Sequence, residues 1–374
     1  MEQSFESYIK SYLKQKYGKD SETLYSLSHL LQYLVKKTVS ANKSAKARGS
    51  FANLYAIYVI IEDYISNGYN KNKNYEDYEG AQFAQLMKRQ RELPFGKSLQ
   101  NHALNNRMND EFFKFFPLMK DESKYPIIRD LKTKRYWINE NYLKVKVGKK
   151  TINIAEDIIN IIDKYVSVKK ANLNQFIEQC ETLQNLEDDD KVEVVGYITS
   201  LLAPNVDARL FEIVSFSILK FTFINTKIYW GYTREELNEE YLHLYKTGRT
   251  NANDGGIDFV MKPLGKFFQV TETLDFKKYF LDIEKIERYP LSFVIKSEES
   301  VDDLYKRLRE DALKTYVVKS VVDDYMSCIE DIINIPYLKD SLYELDSKNM
   351  IPEVLKEIIL QSKVEFNYED DEEE

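Results

Sequence analysis

The stretch Asp254-Gly255-Gly256-Ile257-Asp258-Phe259-Val260, followed by Lys266-Phe267-Phe268-Gln269-Val270-Thr271-Glu272, decides how this chain is read. The glycine pair opens a turn. Asp258 then heads a short apolar strand, a second turn runs over 263–265, and a second apolar strand follows with polar residues set into it. Two strands joined in this way bring Asp258 beside Gln269, Thr271 or Glu272. A carboxylate with oxygen neighbours on adjacent strands suits a hard cation such as Mg²⁺ and phosphodiester chemistry. Taken alone, Gly-Gly-x-Asp is equally the pattern of a turn with a capping aspartate.

Upstream, residues 208–219 read as a helix with an apolar stripe, and Glu212 lies within that apolar context. A strand over 226–230 follows, then a helical insertion over 233–245 and a loop over 247–251 that carries Arg249, a candidate phosphate contact. Downstream, a helix over 276–289 precedes an apolar strand over 291–295. Asp275 reads as the cap of that helix and Asp282 as part of its solvated face. The order is helix, strand, strand, strand, helix, strand, which points to an α/β (α+β) fold.

That order and those residues resemble the PD-(D/E)XK nuclease fold, the core of most Type II restriction endonucleases, over roughly 205–296. Gly255-Gly256-Ile257-Asp258 resembles the Gly-Gly-x-Asp of the Mrr-like branch, and Gln269-Val270-Thr271 stands where that branch has Gln-x-Lys. The segment from Phe268 to Tyr289 is similar to ApaLI-type enzymes. The resemblance implies a restriction-endonuclease-like mixed sheet flanked by helices. It also implies Mg²⁺ held by Asp258, Gln269 with the neighbouring backbone carbonyl, and Glu212. The family's lysine is replaced here by Thr271. Because side chains alternate along a strand, Gln269 and Thr271 share one face and Glu272 takes the other, unless the strand bulges. Lys277 or Lys278 on the following helix, or less readily Lys266, is left to supply the missing charge.

The first part of the chain reads differently. Residues 1–92 are mainly helical, with 51–65 a strongly apolar helix. The intervening stretch 36–50 is basic and free of acids, so Lys36, Lys37, Lys43, Lys46 and Arg48 are candidate phosphate contacts. A polar helix over 98–107 offers Gln100, Asn101, Asn105 and Arg107, whose side chains suit base edges in the major groove; a solvated helix face is the plainer reading. Strand-like alternation over 132–154 marks a small basic β-hairpin or sheet. The acidic run near 186–191 suggests a boundary. It would divide a helical, basic recognition region (1–188) from a catalytic domain (189–366), with an acidic disordered tail (367–374).

With 374 residues the chain has room for two or three cores. Two distant cysteines and three scattered histidines give no disulfide framework and no zinc cluster. No apolar run is long enough to span a bilayer, so the expected location is the cytoplasm. The net charge of −8 conceals an asymmetry: residues 1–150 hold 27 Lys and Arg against 16 Asp and Glu, the rest 26 against 45. The basic half suits a polyanion. With the resemblance, the expectation is a Mg²⁺-dependent, site-specific endonuclease acting on double-stranded DNA as a homodimer, beside a cognate DNA methyltransferase. The alternatives are an inactive nuclease fold that only binds DNA, and a structure-specific repair nuclease.

Overall fold

Apolar side chains spaced three and four apart build the first part of the protein. In the computed structural model, which describes residues 4–39, 47–71, 73–97, 99–121, 124–184, 191–248, 257–316 and 318–366, α1 (Phe5–Tyr17) buries Phe5, Ile9 and Leu13. Ser4 caps it by accepting from the Ser7 N–H. Helices α2 (Ser21–Leu27), α3 (His29–Val39) and α4 (Ala47–Ser66) follow. Residues 53–61 of α4 are apolar almost all round, as a helix at the centre of a core must be.

Next come β1 (Ala81–Gln82), α5 (Phe83–Glu92), α6 (Met108–Phe115), β2 (Ile127–Asp130) and β3 (Arg135–Ile138). The three strands form one antiparallel sheet in the order β1-β3-β2. Strands β4 (Lys144–Val147) and β5 (Lys150–Asn153) make a separate hairpin, so the 132–154 region is two small sheets rather than one. The polar helix expected over 98–107 is also corrected: 103–107 form a π-helical turn, and the regular helix starts at Met108.

The long helix α7 (Ala155–Gln184) carries Asp157, which is wholly buried, in its first turn. It accepts hydrogen bonds from Tyr12 at 2.9 Å, Lys16 at 2.6 Å and Tyr17 at 2.6 Å. A carboxylate in the first turn of a helix is favoured by the backbone dipole, and one cation plus two phenols offset its burial.

By its internal contacts the chain divides into two units, Met1–Gln175 and Phe176–Glu374. The division falls inside α7, ahead of the acidic run at which the sequence suggested it.

The second unit continues through α8 (Lys191–Ser200), α9 (Ala208–Phe223), β6 (Lys227–Trp230), β7 (Asn238–Tyr241), β8 (His243–Lys246), β9 (Phe259–Lys262) and β10 (Lys266–Thr271). It ends with α10 (Phe276–Lys285), β11 (Leu291–Ile295), α11 (Val301–Thr315), α12 (Lys319–Ser327), β12 (Ile329–Ile333), α13 (Ile335–Ser347) and α14 (Ile351–Phe366). Five strands form one mixed sheet in the order β12-β11-β10-β9-β8. β8, β9 and β10 run antiparallel in succession, while β11 and β12 lie parallel to β10. The chain is thus mixed α and β.

Alternation along the strands sends side chains into two cores. Phe259 and Phe268 join Phe211, Phe216 and residues of α13 and α14 on one face. Phe267 and Phe293 join Tyr279, Leu304 and Leu308 on the other. The helical insertion expected over 233–245 is instead two strands, and the expected strand 226–230 lies outside the main sheet, paired with β7 in an exposed ribbon. Among the described residues, no helix is long and apolar enough to cross a membrane.

Phe268 is completely buried at the centre of the sheet, between Phe259 and Ser292 on the neighbouring strands. Phe268→Ala is expected to cost about 3–5 kcal/mol. Urea unfolding monitored by circular dichroism measures this, and a loss below about 1 kcal/mol would contradict the packing described.

Candidate active site

The site is set by where β9 stops. The β9–β10 ladder pairs Phe259 with Phe268, and the Asp258 N–H donates to the Phe268 carbonyl at 2.9 Å. Beyond that point β10 continues without a strand on this edge. The Asp258 carboxylate takes the place of the missing strand, with Oδ2 accepting from the Val270 N–H at 2.7 Å. The Gln269 side chain closes the other half, its Nε2 donating to the Val270 carbonyl at 3.0 Å. Thr247, just past β8, donates from its N–H to the Asp258 carbonyl at 3.0 Å and so fixes the third strand.

Gln269 is 8% exposed, and its Oε1 has no hydrogen-bond partner. A buried acceptor left unpaired costs about 1–3 kcal/mol. The Asp258 carboxylate, Gln269 Oε1 and the Val270 carbonyl are all hard oxygen donors, the type that Mg²⁺ takes. These three fit such an ion. With a single carboxylate among them, substrate phosphate oxygens would have to complete its shell.

Thr271, 3% exposed, lies on the same face as Gln269. Its Oγ1 accepts from Lys278 Nζ at 3.3 Å. Of the two lysines expected near this position, Lys278 is the one whose ammonium reaches Thr271. Lys277 is exposed, with its ammonium over the Phe276 ring. Lys266 is engaged at the opposite end of β10 by Asp331 and Glu330. Asp275 does cap α10 by accepting from the Lys277 N–H. Asp282, expected on a solvated face, is 2% exposed and paired with Lys285 at 2.7 Å.

The sheet separates the other two acids from Gln269. Glu212 sits on α9, which covers the face opposite α10, and pairs with Lys246 at 2.9 Å with both side chains largely buried. Glu272 turns to the same face and pairs at 2.5 Å with Lys296, whose side chain is 1% exposed. Lys296 also donates to the Val206 carbonyl and stands over the Phe211 ring. Glu212 is therefore engaged by Lys246, on the face of the sheet opposite α10. Among the described residues, no three His, Cys, Asp or Glu side chains gather closely enough to hold a metal ion.

Lys246 and Lys296 escaped the sequence reading. The available signal was positional: Lys296 follows the five buried residues of β11, at the carboxyl end of a parallel strand, where open sheets place their ligands. The Asp254-Gly255-Gly256 turn and Arg249 lie outside the described residues.

The expected DNA contacts in the first unit fare unevenly. Lys36 is exposed, over the Phe115 and Phe116 rings. Lys37 is not available for phosphate: it is buried and paired with Glu111 at 2.5 Å. Lys43, Lys46 and the Arg48 side chain lie outside the described residues. Gln100 and Asn101 are exposed in a turn. Asn105 accepts from the Tyr136 hydroxyl at 3.1 Å, and Arg107 pairs with Glu111 at 3.0 Å.

No protein-family model, curated protein or solved structure matches this chain.

The Glu272–Lys296 pair makes a separable claim about stability. Glu272→Ala strands a buried ammonium and is expected to cost about 2–3 kcal/mol, while adding Lys296→Met recovers most of that loss. Chemical unfolding of the two single variants and the double variant closes the cycle; purely additive losses would show that the pair is not coupled.

Proposed function

We propose that the second unit is a Mg²⁺-dependent endonuclease acting on double-stranded DNA, of the Type II restriction kind, with a restriction-endonuclease-like core. The observation that carries this reading is the oxygen-lined gap past the end of β9: Asp258 and Gln269 flank the Val270 peptide, and Gln269 Oε1 is buried without a partner. The order α9, β8, β9, β10, α10, β11, interrupted after α9 by the β6–β7 ribbon, supports it. So does Lys278, whose ammonium donates to Thr271, the residue that stands where the resembled family has its lysine.

In this reading Asp258, Gln269 Oε1 and the Val270 carbonyl hold the ion. Bound there, Mg²⁺ supplies Lewis-acid stabilisation of charge at the scissile phosphate and an acidified water. Lys278 adds positive charge on the same face of the sheet. Glu272 and Glu212, held by Lys296 and Lys246, keep the opposite face neutral and closed. The basic first unit binds the duplex. A two-fold-symmetric target calls for two copies of the site, hence a homodimer, and a host that carries such targets needs a cognate methyltransferase.

A second reading, a nuclease fold that binds DNA without cutting it, is favoured by one observation: Glu212 and Glu272 are each neutralised by a lysine. Incubation with a long natural DNA and Mg²⁺, beside Asp258→Ala, separates the two. Discrete fragments are expected from the wild type, with a rate loss of roughly a hundred-fold or more in the variant. Intact DNA in both reactions, accompanied by a specific gel shift, would move the protein to the binding reading. Equal cutting by both would remove Asp258 from the site.

A further inference from the structure

The β4–β5 hairpin has a part of its surface that nothing above uses. Residues 143–155 contain four lysines, Lys144, Lys146, Lys149 and Lys150, and no acid. Strand β4 alternates strictly: Val145 and Val147 are buried in the core of the first unit, while Lys144 and Lys146 are exposed. On β5, Lys150 and Thr151 are exposed, and Ile152 packs against the same core. The hairpin is thus a ribbon anchored by its inner face, with its ammonium groups displayed outward.

Its turn is two residues long, Gly148-Lys149, between the paired Val147 and Lys150. Gly148 has φ +58°, as glycine-first hairpin turns require, and nothing lies within 4 Å of a side chain added there. The tip projects into open space. Lys144 is tied to Glu140 at 2.9 Å. Lys146, Lys149 and Lys150 have no acidic partner among the described residues. Lys144 and Lys146 also line a groove with Lys124, Asn141 and His29, which widens the basic surface.

We infer that this hairpin docks duplex DNA, its outward face entering the major groove and its lysines meeting the flanking phosphates. A two-stranded ribbon fits a major groove about 12 Å wide. Unpaired lysines along a strand match a polyanion, and the groove beside them adds polar donors of the same character. Lysines act on phosphates as point charges, so the surface supplies affinity and orientation rather than base choice. The inference rests on the reading of the protein as one that works on DNA, but not on its cutting it.

The test uses the full chain, labelled mixed-sequence duplexes and no divalent cation, with binding followed by anisotropy across a salt series. Wild type is compared with the triple variant Lys146→Ala, Lys149→Ala, Lys150→Ala and with the corresponding triple arginine variant, each checked for an unchanged melting temperature. The alanine variant should bind about ten-fold more weakly at moderate salt, equally for every sequence, with the log–log salt slope shallower by roughly 0.9 per lysine removed. The arginine variant should bind like wild type. Unchanged affinity and slope in the alanine variant would overturn the inference. In that case the lysines serve only to keep an exposed strand from pairing with another chain, a role that would show as aggregation of the variant. Wild-type binding to anionic phospholipid vesicles but not to duplex would also overturn it. Lysine-dependent binding without Mg²⁺-dependent cutting would sustain the hairpin surface and remove the nuclease reading; cutting that ignores the lysines would do the reverse.

Discussion

Strand β10 is covered on both faces and paired on both edges until β9 runs out, and the site follows from that constraint. A buried peptide group must be paired, and the peptide at Val270 has lost its strand neighbour. An aspartate oxygen and an amide nitrogen fill the two vacated positions. This accounts for a carboxylate and a carboxamide at this point of the hairpin without reference to any reaction. It also leaves one buried acceptor, Gln269 Oε1, facing nothing that donates. Any group that binds there must be electron-poor, and so the local requirement of the fold and the proposed chemistry meet at one atom.

Much of this arrangement was legible in the sequence because it depends on local period. Residues 208–219 carry an apolar stripe at helical spacing, and 266–271 and 291–295 carry the short apolar runs of buried strands; each appears close to where it was expected. Asp275 and the start of α10 follow from capping chemistry. The stretch 233–245 was misread because its glutamates and leucines favour a helix when taken alone. Cross-strand partners override that preference, with Glu239 meeting Lys227 and Tyr229, and Glu240 meeting the Trp230 indole. Lys37 was misread for a related reason: its partner Glu111 lies far along the chain, and no local pattern announces the pair.

The lysines of this protein therefore divide by burial rather than by position in a basic or acidic half. Lys37, Lys246 and Lys296 are withdrawn from water, each against one glutamate, and contribute nothing to the long-range field. Lys146, Lys149 and Lys150 remain in solvent and carry that field. Counting charge along a sequence sums both kinds. The field at the surface is set by the second kind alone, so within 36–50 the exposed Lys36 adds to it and the buried Lys37 does not.

The two tryptophans fall one to each unit, in contrasting surroundings. Trp137 on β3 donates its indole N–H to the Tyr78 carbonyl at 2.7 Å and packs against Gly80, where an added methyl would come within 2.4 Å of the ring. Trp230 stands on the exposed β6–β7 ribbon, 41% accessible, with its indole N–H on Glu240. Emission from the first comes from a packed ring and from the second from a wet one. The chain thus carries a separate optical reporter for each unit, distinguishable by colour and by access to a dissolved quencher, with no label to attach.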